Sequence, residues 1–124
     1  MITGIGSIIL FSGDPQTCVA FYQRLGLPLV AEDHGEGPVH YAADIAGCHF
    51  AVFPSKPGQA PPHKSGGSHF VGLTVDNLEP TVERAQTFGA PLVEPIRTFP
   101  WGRRALVRDP DGRVVELFEP PGPR

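Results

Sequence analysis

The sequence has few cysteines, no basic cluster and no long apolar stretch, and each absence excludes a class of protein. Its 124 residues include only Cys18 and Cys48, which are far apart and in no CxxC spacing, so we expect reduced thiols. A formal net charge of -3 without a Lys/Arg cluster argues against nucleic acid or a membrane surface as partner. No apolar run approaches ~18 residues, and the first residues lack a charged region followed by an apolar one. We therefore expect a cytoplasmic protein of one domain.

What the sequence does contain is a well-marked hairpin near its end. The turn Asp109-Pro110-Asp111-Gly112 has proline at its second position and glycine at its fourth, between two runs of strand-forming residues. Alternation after the turn puts Val114, Glu116 and Phe118 on one face of the last strand. A carboxylate in an apolar row needs a cation, a hydrogen-bond donor, a metal or a raised pKa, unless the row faces water. Glu116 is therefore the first candidate functional residue.

Hydrophobic spacing and turn residues predict the same order of elements twice. The first half reads as strand Ser7–Ser12, a helix from the cap Asp14 to Gly26, and strands Leu29–Ala31, Val39–Ala43 and Cys48–Phe53. The second half reads as strand Ser68–Val75, a helix from the cap Asp76 or Asn77 to Gly89, and strands near Leu92, Arg103–Val107 and Val114–Phe118. We expect an α+β fold of two βαβββ modules, residues 1–54 and 67–124, joined by a Pro- and Gly-rich linker at 55–66.

The two halves also match residue by residue. Asp14 and Asp76 stand at the same place before each helix, and the turn at residues 44–47 matches the turn at residues 109–112. A duplication of this kind predicts that two like units pack together, with a cleft where their sheets curve toward each other.

Three segments carry a family resemblance: Phe21–Leu27, Trp101–Arg104 and Asp109–Leu117. Together they resemble the vicinal oxygen chelate superfamily, that is, the glyoxalase, bleomycin-resistance and extradiol-dioxygenase group, over nearly the whole chain. The resemblance implies a cup of curved mixed sheets with helices outside. It also implies a homodimer, with the cup built either within one chain or across two chains that exchange strands.

Metal-dependent members of this family take ligands from the first and last strand of each module. By resemblance, His69 and Glu116 fall on these ligand positions in the second module. The corresponding residues of the first module are Ser7 and Ala51, or Phe50 in an alternative alignment, and none has an imidazole or a carboxylate. The implied metal ligands are therefore His69 and Glu116 alone, fewer than the three or four that stable sites use.

Three interpretations of Glu116 stay open. A bulge in the strand of His49 would bring that imidazole to the metal as a third ligand. Alternatively, His69 and Glu116 form a buried hydrogen-bonded pair without any metal. In the third interpretation Arg103 or Arg104, on the neighbouring strand, forms an ion pair with Glu116.

A ligand pocket is predicted from the inward rows of the strands, which also contain Leu73, Val114 and Phe118. These rows are apolar apart from a serine, the histidines and one glutamate, which suits a partly aromatic ligand. His34, His40 and His63 lie in turns or at strand starts and are expected to be solvated. The predicted pocket consists of Ser7, Ile9, Phe11, His49, Ala51, Phe53, His69, Val71, Trp101 and Glu116.

Two functions remain open. The first is a binding protein similar to the bleomycin-resistance branch, which holds a drug or metabolite without chemistry. The second is a glyoxalase-like lyase or isomerase, a thiol transferase or an extradiol dioxygenase, in which a divalent metal polarises two neighbouring oxygens of the substrate. The missing first-module ligands favour binding. No catalytic residue is assigned and no cofactor is firmly predicted. A divalent metal is expected only if the protein has the second function.

Overall fold

The computed structural model describes residues 1, 3, 5, 7–33, 35, 37–55 and 71–122. The chain divides into two compact units, Met1–Pro61 and Pro62–Arg124. Unit 1 contains β1 (Ser7–Ser12), α1 (Pro15–Leu25), β2 (Val30–Glu32), β3 (His40–Ile45) and β4 (Cys48–Pro54). Unit 2 contains β5 (Val71–Thr74), α2 (Leu78–Phe88), β6 (Leu92–Phe99), β7 (Gly102–Arg108) and β8 (Val114–Glu119). The predicted α+β fold with two βαβββ modules is confirmed. Neither helix is long and apolar enough to cross a membrane.

Each unit contains one four-stranded mixed sheet. The strand orders are β1-β4-β3-β2 and β5-β8-β7-β6. The first strand of each unit runs parallel to the last, and the remaining neighbours are antiparallel. A tight hairpin cannot connect parallel strands, so the chain crosses over through the helix and returns to the sheet.

Helix α1 has the ends that the sequence predicted. The Asp14 carboxylate accepts a hydrogen bond from the Thr17 backbone N–H at 3.2 Å, and Gly26 ends the helix in the left-handed conformation at φ 114°. One side of α1 is buried, and the ring centroid of its Tyr22 lies 5.4 Å from that of Phe50 in β4. Helix α1 therefore covers the face of the sheet that carries Phe50.

Helix α2 is held at its first turn by residues of the sheet. Asn77 makes no side-chain capping bond to a described residue, and the Glu119 carboxylate accepts the Leu78 backbone N–H at 2.7 Å instead. The guanidinium of Arg103 donates to Glu119 at 2.8 Å and to Glu79 at 3.0 Å. The hydrogen bonds from Arg103, and to a smaller extent its charge, hold the pKa of both carboxyls below the usual value. The start of α2 is thus tied to β7 and β8.

Strand β6 is longer than expected. The sequence predicts a strand only near Leu92, whereas β6 continues to Phe99, with register shifts on both sides of Glu94. Pro95 lies within this irregular part, and β6 is at the edge of its sheet, where a missing N–H is tolerated.

A buried ion pair fixes the predicted turn between β7 and β8. Arg113 Nη1 donates to Asp109 Oδ2 at 2.9 Å, with both side chains buried. The other carboxylate oxygen accepts the backbone N–H groups of Asp111 and Arg113, at 2.9 Å and 3.0 Å. Removing one partner of such a pair leaves a buried charge, at a cost of about 3–5 kcal/mol.

We predict that Gly102→Ala destabilises the protein strongly. Gly102 has φ 144°, and a Cβ added there would lie 2.5 Å from Phe118 Cζ and 2.6 Å from the Glu119 carbonyl oxygen. Gly47 also has a positive φ, 82°, but open space around it. Urea unfolding followed by circular dichroism should give a loss of about 1 kcal/mol for Gly47→Ala and at least about twice that for Gly102→Ala. Equal losses would show that the close approach at Gly102 is unimportant.

Candidate functional site

The face of the unit 1 sheet opposite α1 carries three cross-strand rows of side chains. We call this face the trough. The pairing of β1 with β4, β4 with β3 and β3 with β2 lines up the rows. The predicted unit 1 pocket residues all lie on this face. The polar row is Ser7, His49 and Asp44; the floor row is Ile9, Ala51, Ala42 and Val30; the aromatic row is Phe11, Phe53 and His40.

The aromatic row is a continuous set of rings. The Phe11 and Phe53 centroids are 6.2 Å apart, and the His40 ring is stacked on Phe53 at 4.1 Å with an interplanar angle of 10°. His40 Nε2 also lies 3.0 Å from Glu32 Oε2. The expectation that His40 is solvated is therefore wrong, because the stack and the carboxylate bury it to 6% exposure. His34 and His63 lie outside the described residues.

The floor row combines short buried side chains with exposed apolar ends. Ala51 and Ala42 are both buried, and with one side-chain carbon each they form the lowest part of the face. Ile9 and Val30, at the two ends of this row, are 45% and 62% exposed, and Phe11 beside them is 53% exposed. Exposed apolar side chains gathered on one face are typical of a binding surface.

The polar row contains a hydrogen-bonded His–Asp pair. His49 Nδ1 lies 2.7 Å from Asp44 Oδ1, and Ser7 is the cross-strand partner of His49 on its other side. The pKa of His49 is raised above its usual value of 6.5, mainly by the hydrogen bond to Asp44, while partial desolvation opposes the shift. Glu32 adds a smaller attraction for the proton.

Asp44 is a site residue that the sequence reasoning assigned to a turn. The turn itself is shorter: Ala46 and Gly47 both have positive φ, as in the two-residue hairpins that match strand twist. This loop length fixes Ile45 opposite Cys48 and Asp44 opposite His49. The signal in the sequence was the Ala-Gly pair. A two-residue turn at this pair, in place of a turn over residues 44–47, predicts that Asp44 lies within the strand.

In unit 2, Glu116 lies on the face opposite α2, and its cation is an arginine. Arg104 Nη1 is 3.6 Å from Glu116 Oε2, and Arg104 Nε donates to Glu94 at 3.1 Å. Gly72 leaves the space for the carboxylate, since a Cβ there would be 3.3 Å from Glu116 Oε1. Arg104 is therefore the ion-pair partner of Glu116, whereas Arg103 is hydrogen-bonded to carboxylates at the start of α2.

The prediction that Val71 and Leu73 lie on the same face of the sheet as Glu116 is wrong. The parallel register pairs Val71 with Val115 and Gly72 with Glu116, so Val71 and Leu73 lie on the face toward α2. An error of one residue in the register moves every side chain of a strand to the other face. His69 lies outside the described residues, as does its proposed pairing with Glu116.

Trp101 belongs to an aromatic and cationic cluster at the β6–β7 turn. Its ring is stacked on Phe99 with centroids 4.9 Å apart and an interplanar angle of 11°, and it is 64% exposed. The guanidinium carbons of Arg97 and Arg104 lie 5.0 Å and 5.2 Å from the Phe99 centroid. Both are within cation–π range.

The described residues do not fit the metal that the family resemblance implies. Ser7 and Ala51 bring no imidazole or carboxylate to the first-module positions, and the carboxylate of Glu116 already has a guanidinium beside it. Within each unit taken alone, the described residues hold no cluster of three His, Cys, Asp or Glu ligand atoms. His49 is hydrogen-bonded to Asp44, and its strand keeps one register with β1 and β3 from end to end, so no bulge turns it toward Ala51.

We predict that protein purified without chelator contains far less than one equivalent of zinc, manganese, nickel or iron. The physical reason is the short ligand set, since a site with two protein ligands holds a divalent ion weakly. Plasma mass spectrometry of the purified protein measures this directly. Near one equivalent of an ion that a His69→Ala variant loses would overturn the prediction.

We predict that His49 titrates above pH 6.5 in the folded protein. Because the folded-state pKa is raised, the His49–Asp44 pair contributes its full stability below about pH 6.5, and the contribution is lost as pH rises through the folded pKa. NMR titration of the His49 ring protons should show the upward shift in wild type, and Asp44→Asn should remove most of it. A pKa unchanged by Asp44→Asn would mean that the pair does not form in solution.

Comparison with solved structures shows the same fold in bacterial proteins. TnmS3, an antibiotic binding protein from Streptomyces sp. CB03234, is 24% identical with a TM-score of 0.74, covering 97% of this chain and 98% of its own. TioX from Micromonospora sp. ML1 is 24% identical with a TM-score of 0.66, covering 96% and 100%. A mutant of the fosfomycin resistance protein FosX from Listeria monocytogenes, complexed with Mn(II) and dihydroxypropylphosphonic acid, is 20% identical with a TM-score of 0.71, covering 95% and 90%.

A comparison with curated proteins found no match. The family model for the Glyoxalase/Bleomycin resistance protein/Dioxygenase superfamily matches residues 4–117, nearly the whole chain. The protein therefore belongs to this superfamily.

Proposed function

We propose that the protein binds a partly aromatic small molecule, uncharged or anionic, in the trough of unit 1, without metal-dependent chemistry. The observation that carries the proposal is the row order on this face, in which an apolar floor lies between aromatic rings and a polar row. Small-molecule sites are mostly apolar, with a few polar groups that fix orientation.

The exposed side chains of the trough would supply the affinity. Ile9, Phe11 and Val30 leave much of their apolar surface in water, and a ligand that covers them gains about 25 cal/mol for each Å² removed from water. Flat aromatic molecules suit this face, since Phe11 and Phe53 offer ring contacts beside the exposed apolar side chain of Ile9.

The comparisons support the proposal because a protein with the same fold is described as a binding protein. TnmS3 is described as an antibiotic binding protein, which is the function that we propose here in general form. The FosX structure contains Mn(II), and a metal enzyme is the alternative for this chain. The serine and alanine at the first-module ligand positions favour binding over metal chemistry. In unit 2, the exposed ring of Trp101 on Phe99 is a second surface of the same aromatic kind.

We predict that a thermal-shift screen of aromatic antibiotics, quinones, catechols and α-dicarbonyl thiol adducts finds ligands that stabilise the protein with or without added metal. A ligand at one hundred times its Kd stabilises the fold by about 2.7 kcal/mol. Calorimetry should then show that Phe11→Ala weakens binding about tenfold, because the ligand loses a ring contact worth about 1.4 kcal/mol.

Ile45→Ala is the matched control. Ile45 is 38% exposed, but it pairs with Cys48 on the other face of the sheet, so its loss should leave the Kd unchanged. Hits that are insensitive to Phe11→Ala would show that the ligand does not bind in the trough. The family resemblance further leads us to propose a homodimer, and light scattering of the same samples reports its mass.

A further inference from the structure

His49 is hydrogen-bonded through one ring nitrogen and has the other available. A carboxylate can only accept, so at 2.7 Å from Asp44 Oδ1 the Nδ1 atom must carry a hydrogen. In the neutral ring this leaves Nε2 as an acceptor, and in the protonated ring Nε2 becomes a donor. The part of the chain that the structure describes offers no hydrogen-bond partner to Nε2. The side chain is 38% exposed, so a ligand can reach it.

The surroundings of His49 favour an acidic hydroxyl group as the partner of Nε2. Asp44 on β3 and Glu32 on β2 are the negative groups that raise its pKa, while its neighbour on β1 is the uncharged Ser7. A hydroxyl that titrates near neutral pH can donate its proton to neutral Nε2, or accept one as an anion from the protonated ring. One proton shared in this way satisfies both groups in either charge state, and such charge-assisted bonds are strong.

We propose that His49, oriented by Asp44 and flanked by Ser7, binds the acidic hydroxyl of a planar aromatic or quinone ligand whose ring lies in the trough. The proposal rests on the proposed function and names the ligand class of that site. The polar and aromatic rows are four residues apart along β4, so the Cα atoms of His49 and Phe53 are separated by about 13 Å. The imidazole with its hydrogen bond and the contact with the Phe53 ring cover part of this distance, so a system of two or more fused rings with a hydroxyl at one end reaches both rows.

A matched pair of probes tests the proposal: a hydroxynaphthoquinone and its methyl ether, which lacks the acidic proton. Calorimetry with wild-type protein should show tighter binding of the hydroxy compound by about tenfold, as expected for one good hydrogen bond. His49→Ala should lower this ratio to about one, mainly by weakening the hydroxy compound. His49→Gln keeps a polar side chain and covers the case in which the alanine variant does not fold.

Two further variants test whether Asp44 contributes to the preference and whether a change on the opposite face of β4 affects it. Asp44→Asn should reduce the preference for the hydroxy compound in part, because the ring orientation and charge that Asp44 supplies are lost. Cys48→Ala, one residue away but on the opposite face of β4, should leave the ratio as in wild type. Binding of neither probe by wild type would count against the trough as a site for such rings, and so against both proposals. Binding of both with equal affinity, or a preference that survives His49→Ala and His49→Gln, would overturn the hydroxyl proposal and leave the proposed function standing.

Discussion

The parallel pairing of the first and last strand is the constraint on which each unit depends. Because β1 and β4, and likewise β5 and β8, run in the same direction, the chain must leave the sheet and return, and the helix lies in that crossover. The helix then covers one face, where Tyr22 meets Phe50 in unit 1 and where Glu119 holds the start of α2 in unit 2. Alternation along the strands sends every second side chain to the opposite face. Apart from Val71, every predicted pocket residue on the described strands is on that second face.

The two units use this second face differently, although they share an architecture. Unit 2 keeps a carboxylate there, and Glu116 needs the guanidinium of Arg104 and the space beside Gly72 to be accommodated. An unpaired carboxylate would cost several kcal/mol in such a row. Unit 1 has Ala51 at the position that corresponds to Glu116, so no counter-charge is required and the floor of the trough is apolar. The two units therefore differ at this position of the duplicated pattern, where unit 2 has a charged side chain and unit 1 a short apolar one.

The sequence predicted the order of elements well because their signals are local. Asp14, Gly26 and Gly89 mark helix ends by their own chemistry, and alternation within β8 placed Glu116 correctly. The errors concern relations across strands. Val71 was placed on the wrong face because its register with Val115 is set by strand pairing, which has no local signal in the sequence. His40 begins a strand, as expected, but its burial depends on stacking against Phe53, a residue 13 positions further along the chain. Which of two adjacent arginines meets Glu116 also depends on which face each occupies: Arg104 pairs across from Phe118 on the face of Glu116, and Arg103 across from Glu119.

In the proposed binding mode, the arrangement of the trough separates affinity from selectivity. The exposed ends of the floor row and the rings would give favourable contact with any flat molecule, in proportion to the area buried. His49 lies at the margin and is partly exposed, so without a ligand its Nε2 can hydrogen-bond with water at little cost. A ligand that covers His49 removes that water. If the ligand offers a hydroxyl, one hydrogen bond replaces another with a small net gain; if it offers only carbon, a polar atom is left unsatisfied at a cost of about 1–3 kcal/mol. A single imidazole held in place by Asp44 can therefore discriminate among molecules that the aromatic row would bind equally well.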